Sequence, residues 1–367
     1  MKKILFAAHS LEIGGIETAL VTLINHLVEK QYDITLVLEK KQGIFLNQIN
    51  KKIKIIEYSP SYCENKFIAK LKNGINRFKY IIKHKNKYDC SISFATYSLP
   101  DSFVARTSSK NSVLWVHNNY LSFFNNNEEE YLKFFTNLKV DSFKKIVFVS
   151  EESKNDFEQR FKNLKEKLIV CNNLIDYQKI ISKSEEKIEQ IKKDEVIFLN
   201  IGRHDEKQKK LSRLIDASKK LNDNGYKFKV LLVGDGENNK EYKEKVKNLG
   251  LEEKILFLGP KKNPYPYYKM CDSVILTSEF EGYPVVYIEA LTLGKPIITT
   301  DVSDSKKDIE GKFGLVCEKN VEDIYEKMKY FIENGYTIKQ KFNPEEFNKK
   351  IIKTVENIIS EEDYEKN

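Results

Sequence analysis

Two glutamates, Glu281 and Glu289, stand with seven residues between them in the segment Ser278-Glu279-Phe280-Glu281-Gly282-Tyr283-Pro284-Val285-Val286-Tyr287-Ile288-Glu289-Ala290. Gly282-Tyr283-Pro284 opens a helix there, with Pro284 near the first turn, where its missing N–H is not needed. The N–H groups of Val285 and Val286 then lack intrahelical acceptors and can hold a phosphate. One carboxylate in the loop and one further into the helix suit a ligand with hydroxyls at both ends, a sugar at one and a ribose diol at the other. Cations lie upstream, in Gly202-Arg203-His204-Asp205-Glu206-Lys207-Gln208-Lys209-Lys210. A guanidinium forks onto phosphate oxygens and an ammonium adds a point charge, so this corner suits a diphosphate.

The N-terminal half offers two weaker signals. Gly14-Gly15 precedes a helical stretch, and His117 ends the apolar run Ser112-Val113-Leu114-Trp115-Val116-His117. Two glycines admit a ligand to the backbone N–H groups, or they simply make a turn. A histidine at a strand end faces a ligand, or it is a structural residue. Gly234-Asp235-Gly236-Glu237 also follows a strand, but position 239 is Asn. The third glycine of a nicotinamide-binding loop is therefore missing.

These residues sit on alternating strands and helices. Apolar runs at 2–8, 33–39, 53–58, 90–94, 112–117, 145–150 and 167–172 read as strands of one parallel sheet. A helix from Ile16 to Leu27 and others separate them. After a polar stretch the pattern restarts at 195–202, 227–234, 254–259, 273–277 and 296–300, with helices such as Leu211 to Leu221 and Glu241 to Leu249. The expectation is α/β, two doubly wound Rossmann-like domains. Residues 1–175 form the first, 176–194 a linker or surface helix, 195–343 the second and 344–367 a C-terminal helix. Ligands of such sheets sit at the carboxyl ends of the strands, which places the site in the cleft between the domains.

Length and composition agree. The 367 residues suit about two domains at roughly 150 residues each. A hydrophobic content of 41% fills cores and argues against global disorder despite 32% charged residues. Five scattered cysteines suggest neither a disulfide framework nor a zinc knuckle. No apolar run reaches the roughly 18 residues of a membrane span. The apolar N-terminal stretch stops at His9, too short for a signal peptide. A cytoplasmic protein is expected.

The net charge of +8 is unevenly spread. Residues 64–87 carry eight Lys or Arg against one Glu. Phe67, Ile68, Leu71, Ile75, Phe78, Ile81 and Ile82 recur there at helical spacing. A basic amphipathic helix can lie on an anionic membrane surface. The plainer reading is an outer helix with its apolar stripe on the core. No nucleic-acid module is recognisable, so nucleic acid is not expected as a partner.

The paired glutamates in Glu-Gly-Tyr-Pro-Val-Val-Tyr-Ile-Glu-Ala resemble the motif of retaining GT-B glycosyltransferases, the glycosyltransferase family 4-like group that includes bacterial surface-polysaccharide enzymes. Gly14-Gly15-Ile16-Glu17, Asn172-Asn173-Leu174-Ile175-Asp176, and Gly202-Arg203 with Arg213-Leu214-Ile215-Asp216-Ala217 match the same family in the same order, over most of the chain from Gly14 to about Thr300. The resemblance implies that Glu281 contacts the donor sugar and Glu289 the ribose. Arg203 and Lys209 would neutralise the diphosphate, with Gly14 and Gly15 near the donor phosphates and His117 near the reacting sugar. Tyr283, Pro284, Val285 and Val286 complete the donor loop. The usual Lys-Gly after the arginine is absent. Alignment back from Arg213 favours Lys209, with Lys207 the alternative.

The implied activity is transfer of a sugar, with retention, from a nucleotide-diphosphate donor, UDP most often in this family, to a lipid-linked or growing cell-surface glycan. The implied fold gives the acceptor to the first domain and the nucleotide sugar to the second, and adds a C-terminal helix packing back on the first domain. No two aspartates are separated by one position, so the metal-binding Asp-x-Asp of other transferases is missing. Arg203, Lys209 and helix N-termini would carry the leaving-group charge, and no cofactor or divalent metal is expected. A GT-B-shaped nucleotide-sugar epimerase is the alternative. A degenerate transferase serving as a partner in a complex is a third reading, which the intact Arg, Lys and two Glu argue against.

Overall fold

The computed structural model describes residues 1–12, 14–61, 64–188 and 195–360. The chain divides into two compact units. Met1–Ile175 makes the first, joined by the C-terminal residues from Asn348 onward, and Asp176–Phe347 makes the second.

The first unit is built on a parallel sheet of seven strands: β1 (Lys3–Ala8), β2 (Asp33–Leu38), β3 (Lys54–Glu57), β4 (Cys90–Ser93), β5 (Ser112–Val116), β6 (Lys145–Phe148) and β7 (Leu168–Val170). Their order is β3-β2-β1-β4-β5-β6-β7, so the winding reverses between β1 and β4. The central strands are apolar without alternation because helices cover both faces. Ile4, Leu5, Phe6 and Ala7 are all fully buried. At such a reversal the loops that follow the two central strands run apart and leave a crevice at the carboxyl edge.

The C-terminal helix Pro344–Ser360 buries Ile351, Val355, Ile358 and Ile359. Its last carbonyls have no partner inside the helix. The Lys145 ammonium donates to the carbonyls of Asn357 and Ile358, at 3.1 Å each. The Asn111 side chain donates to Ile358 as well, at 3.2 Å. Lys145 and Asn111 both belong to the first unit, so the expected docking of this helix on that domain is observed.

The second unit holds β8 (Val196–Ile201), β9 (Phe228–Val233), β10 (Ile255–Gly259), β11 (Ser273–Leu276), β12 (Ile297–Thr300) and β13 (Gly314–Cys317). Their order is β10-β9-β8-β11-β12-β13, with the reversal between β8 and β11. Both units are therefore the doubly wound, Rossmann-like α/β fold that was expected.

Three features differ from expectation. β13 is an edge strand beyond those expected. Gly314 lets it pair closely, since a Cβ there would stand 1.8 Å from the Ile297 carbonyl oxygen. The stretch read as a linker or surface helix begins with a helix, Tyr177–Ser184, that belongs to the second unit and buries Ile180 and Ser184; residues 189–194 lie outside the described residues. The basic segment forms the helix Lys66–His84 but buries only Tyr80 and His84. Phe67, Leu71, Phe78 and Ile82 are 77%, 59%, 65% and 66% exposed, so this stripe does not lie on the core. No described helix is long and apolar enough to cross a membrane.

Candidate active site

In the second unit the loops after β8 and β11 flank the reversal of the sheet, and they are bound to each other. The Glu279 N–H donates to the Gln208 carbonyl at 2.7 Å. Arg213 pairs with the Glu279 carboxylate at 2.6 Å. Between these anchors lies Glu281, which is buried. Its Oε1 accepts from Lys209 Nζ at 2.6 Å and from Ser278 Oγ at 2.7 Å. Its Oε2 accepts from Gln208 Nε2 at 3.2 Å. Three donors from two loops fix one carboxylate.

The backbone makes this clasp possible. Gln208 N donates to the Asp205 side chain at 2.8 Å and Lys209 N to the Asp205 carbonyl at 2.9 Å, which tightens the loop. Lys210 ends it in the left-handed region, with φ 49°, and the helix Leu211–Asp223 follows. The Lys209 stem crosses Gly202, with Cε 3.3 Å from where a Cβ would stand. Gly234, at φ +144°, packs on the same turn, since a Cβ there would lie 1.8 Å from the Gly202 carbonyl oxygen. Gly234 thus serves loop packing.

Of the two lysines left open by the sequence, Lys209 is the one that reaches Glu281. Arg203 and Lys207 are exposed. The geometry therefore joins Lys209 to Glu281 and leaves Arg203 on the surface of the same loop.

Glu289, on the helix Val285–Thr292, is half-buried and held differently. Tyr268 donates to its Oε2 at 2.6 Å and Tyr265 to its Oε1 at 3.4 Å. Burial pushes the carboxyl above its ordinary pKa, and the two tyrosine hydrogen bonds pull the other way. Pro284 occupies the N-cap, followed by half-buried Val285 and Val286. The Tyr283 hydroxyl donates to Asp308 at 3.0 Å, so this ring braces the loop.

In the first unit, Gly14 is the N-cap of the helix Gly15–Glu29. A Cβ at Gly15 would meet nothing within 4 Å, so packing does not demand glycine there. His117 follows β5 and is 8% exposed. Its ring lies 4.3 Å from that of Phe94 and stacks on Trp115. Neither ring nitrogen has a hydrogen-bond partner among the described residues. Burial lowers its pKa to about 3, so the imidazole is neutral at neutral pH.

Sequence reasoning missed Gln208, Ser278, Tyr265 and Tyr268. Gln208 precedes Lys209 in a polar loop, and nothing in its spacing points to Glu281. The tyrosines lie in Pro264-Tyr265-Pro266-Tyr267-Tyr268, an aromatic cluster with no spacing that points to Glu289.

Comparison with known proteins places these residues in context. Residues 182–367 match the family described as glycosyl transferases group 1. Residues 13–179 match glycosyltransferase family 4. An uncharacterized glycosyltransferase of Methanocaldococcus jannaschii is 30% identical over 68% of this chain and 61% of its own length. The N-acetylgalactosamine-N,N'-diacetylbacillosaminyl-diphospho-undecaprenol 4-alpha-N-acetylgalactosaminyltransferase of Campylobacter jejuni is 30% identical over 61% of this chain and 58% of its own length. The chain thus spans less than two thirds of either relative. Among solved structures, HepE of Anabaena in complex with UDP and glucose superposes with a TM-score of 0.75 at 19% identity, covering 97% of this chain and 100% of that one. That likeness is one of fold.

Proposed function

The chain belongs to the glycosyl transferases group 1 family, and from that premise we propose that it transfers a sugar, with retention, from a UDP-sugar to a lipid-linked or growing cell-surface glycan. The observation that carries this reading is the clasp on Glu281. A buried carboxylate held by Lys209, Gln208 and Ser278 is a rigid acceptor for sugar hydroxyls, with a fixed cation beside it. Glu289, held by two tyrosines, takes the ribose diol. The N–H groups of Val285 and Val286 take a phosphate.

The chemistry follows from where charge grows. The bond from the anomeric carbon to the diphosphate breaks, and its electron pair leaves with the diphosphate. The acceptor oxygen bonds to the same face of that carbon, and its proton passes to the departing phosphate. Arg203 and Lys209 oppose the charge growing on the leaving group, so they favour the transition state over the ground state. With these fixed cations no divalent metal is required. Gly14, Gly15 and His117 take the roles that the resemblance gives them, at the donor phosphates and the reacting sugar. HepE, bound to UDP in its crystals, supports UDP as carrier. The diphospho-undecaprenol in the name of the Campylobacter relative supports a lipid-linked acceptor.

A lipid-linked acceptor requires a membrane surface, and the helix Lys66–His84 suits one. Its exposed Phe67, Leu71, Phe78 and Ile82 are flanked by lysines. Each lysine near an anionic surface contributes on the order of 1 kcal/mol. Changing Lys70, Lys72, Lys79 and Lys83 to Glu should abolish sedimentation with anionic liposomes. Unchanged sedimentation would leave a plain solvated helix.

A panel of nucleotide sugars, read by melting shift and by slow donor hydrolysis, tests the main reading. One UDP-sugar should both stabilise the protein and be consumed faster with an acceptor. Absence of any shift or hydrolysis across the panel would remove the donor assignment. Donor conversion without an acceptor, to an altered sugar nucleotide, would move the protein out of the transferases.

A further inference from the structure

The carboxyl edge of the first unit's sheet carries a polar cluster that none of the roles above uses. β1 and β2 continue in step beyond the sheet, where the Glu39 N–H donates to the Ala8 carbonyl and the Lys40 N–H to the His9 carbonyl. That lock sets His9 and Glu39 side by side, with Nδ1 and Oε1 3.2 Å apart. Glu39 is 5% exposed and also accepts a hydrogen bond from Ser98 Oγ. With His9 Nδ1 directed at this carboxylate, the Nδ1–H tautomer presents Nε2 as an acceptor. The His9 side chain is one-third exposed, at 33%.

Asp101 lies near Glu39, and Tyr97 borders this histidine. The Tyr97 ring meets it edge-on at 6.1 Å and is 47% exposed, an unusual position for an aromatic at the mouth of a sheet. Asp101, on the helix Leu99–Ser108, is fully buried, and its Oδ2 has no hydrogen-bond partner among the described residues. Burial, with Glu39 nearby, holds Asp101 well above the carboxylate range. The edge therefore presents an exposed aromatic face, an oriented imidazole nitrogen and a buried anion behind it.

A pyranose has the matching chemistry, an apolar C–H face and a rim of hydroxyls. We propose that His9 and Tyr97 form an acceptor-sugar subsite, in which the Tyr97 ring stacks on the pyranose and His9 Nε2 accepts a hydrogen bond from one of its hydroxyls. Glu39 is the positioning residue that holds His9. The proposal rests on the transferase reading and adds which face of the first unit takes the acceptor, and by which side chains.

Saturation-transfer NMR tests it without turnover. The probes are methyl α- and β-pyranosides of glucose, galactose, N-acetylglucosamine and N-acetylgalactosamine, with UDP present. At least one pyranoside should receive saturation from the wild-type protein. His9→Ala and Tyr97→Ala should each weaken that signal at least tenfold, and Tyr97→Phe should keep it within about threefold because the ring remains. UDP saturation should stay within twofold in all three variants. No signal from any pyranoside, or an unchanged signal in His9→Ala and Tyr97→Ala, overturns the subsite. Loss of the UDP signal together with the pyranoside signal also overturns it, because His9 would then belong to the donor side. Failure of the wild-type protein to bind UDP is a separate result and removes the transferase reading instead.

Discussion

The two carboxyl edges of this protein are finished to different degrees. In the second unit the chemical side chains are tied down by the protein itself, Glu281 by three donors and Glu289 by two tyrosines. Among the described residues, buried side-chain atoms without partners are concentrated in the first unit, both nitrogens of His117 and Oδ2 of Asp101 among them, while the second unit has fewer, His204 Nε2 and Arg213 Nη1 included. A buried group left unpaired typically costs about 1–3 kcal/mol. The first edge holds more of that cost in its own fold, whereas at the second the two glutamates have fixed donors. The second edge is preorganised for charge, and the first keeps the neutral imidazole of His117 in apolar surroundings.

The largest test of this contrast falls on the two cations. Arg203→Ala and Lys209→Ala should each lower kcat by about 3–4 kcal/mol of transition-state stabilisation, a few hundredfold or more. They should differ in stability. Lys209 is the ion-pair partner of buried Glu281, and stripping one member of a buried pair typically costs about 3–5 kcal/mol. Its melting temperature should drop visibly, while exposed Arg203 should leave it unchanged. Lys207→Ala is the control and should leave both near wild type. Equal stability of the Arg203 and Lys209 variants would show that the clasp on Glu281 is not structural. EDTA should leave most activity in place, and a hundredfold loss restored by magnesium would show that an ion carries the leaving-group charge.

The next effect separates the buried groups by acid. His117 has its pKa lowered from 6.5 to about 3 by burial. The unfolded chain therefore binds a proton between those values and the folded chain does not. Stability from this group is fully present above about pH 6.5 and falls as pH drops toward 3, by up to about 1.4 kcal/mol per pH unit. In His117→Asn that component should vanish, so its denaturation midpoint should fall less steeply between pH 6 and pH 4. Parallel curves for the two proteins would mean that the imidazole finds a proton acceptor or solvent in the fold.

A smaller effect is expected at Glu289. Glu289→Gln should raise the donor KM roughly tenfold, about 1.4 kcal/mol, with kcat little changed. A ribose contact is nearly the same in ground and transition states, so its loss shows in binding. A fall in kcat at constant KM would place Glu289 at the reacting sugar.

The contrast between the edges also governs how much of the molecule was legible in its sequence. Both sheets could be read because their strands are continuous apolar runs, such as Ile197 to Leu199, buried on both faces. Gly314–Cys317 was not among the strands expected, and Tyr177–Ser184 falls in the stretch whose polar composition left linker and surface helix open. At the second edge the charged residues lie in two short segments, so Arg203, Glu281 and Glu289 could be singled out, while Lys209 was favoured over Lys207 only by alignment with the family that the chain resembles. Their holders could not. Gln208 and Glu281 are 73 residues apart, and only the strand order brings them together. At the first edge the same holds for His9 and Glu39, whose meeting depends on β1 lying beside β2 in register.

The smallest expected effect probes the first edge at its least crowded point. Gly15 opens the helix Gly15–Glu29, and its φ is not positive. A Cβ there would meet nothing within 4 Å. Alanine at such a position lowers the entropy of the unfolded chain and should stabilise the protein by about 0.4–1 kcal/mol. The proposed role of the residue runs the other way. If donor phosphates approach the backbone N–H groups of this turn, the added methyl stands in their path, and Gly15→Ala should bind UDP several-fold more weakly while melting slightly higher. Opposite signs in one variant are hard to obtain from a purely structural glycine. Tighter folding with unchanged UDP affinity would assign the glycines of the first edge to the turn alone and leave the diphosphate to the cations of the second.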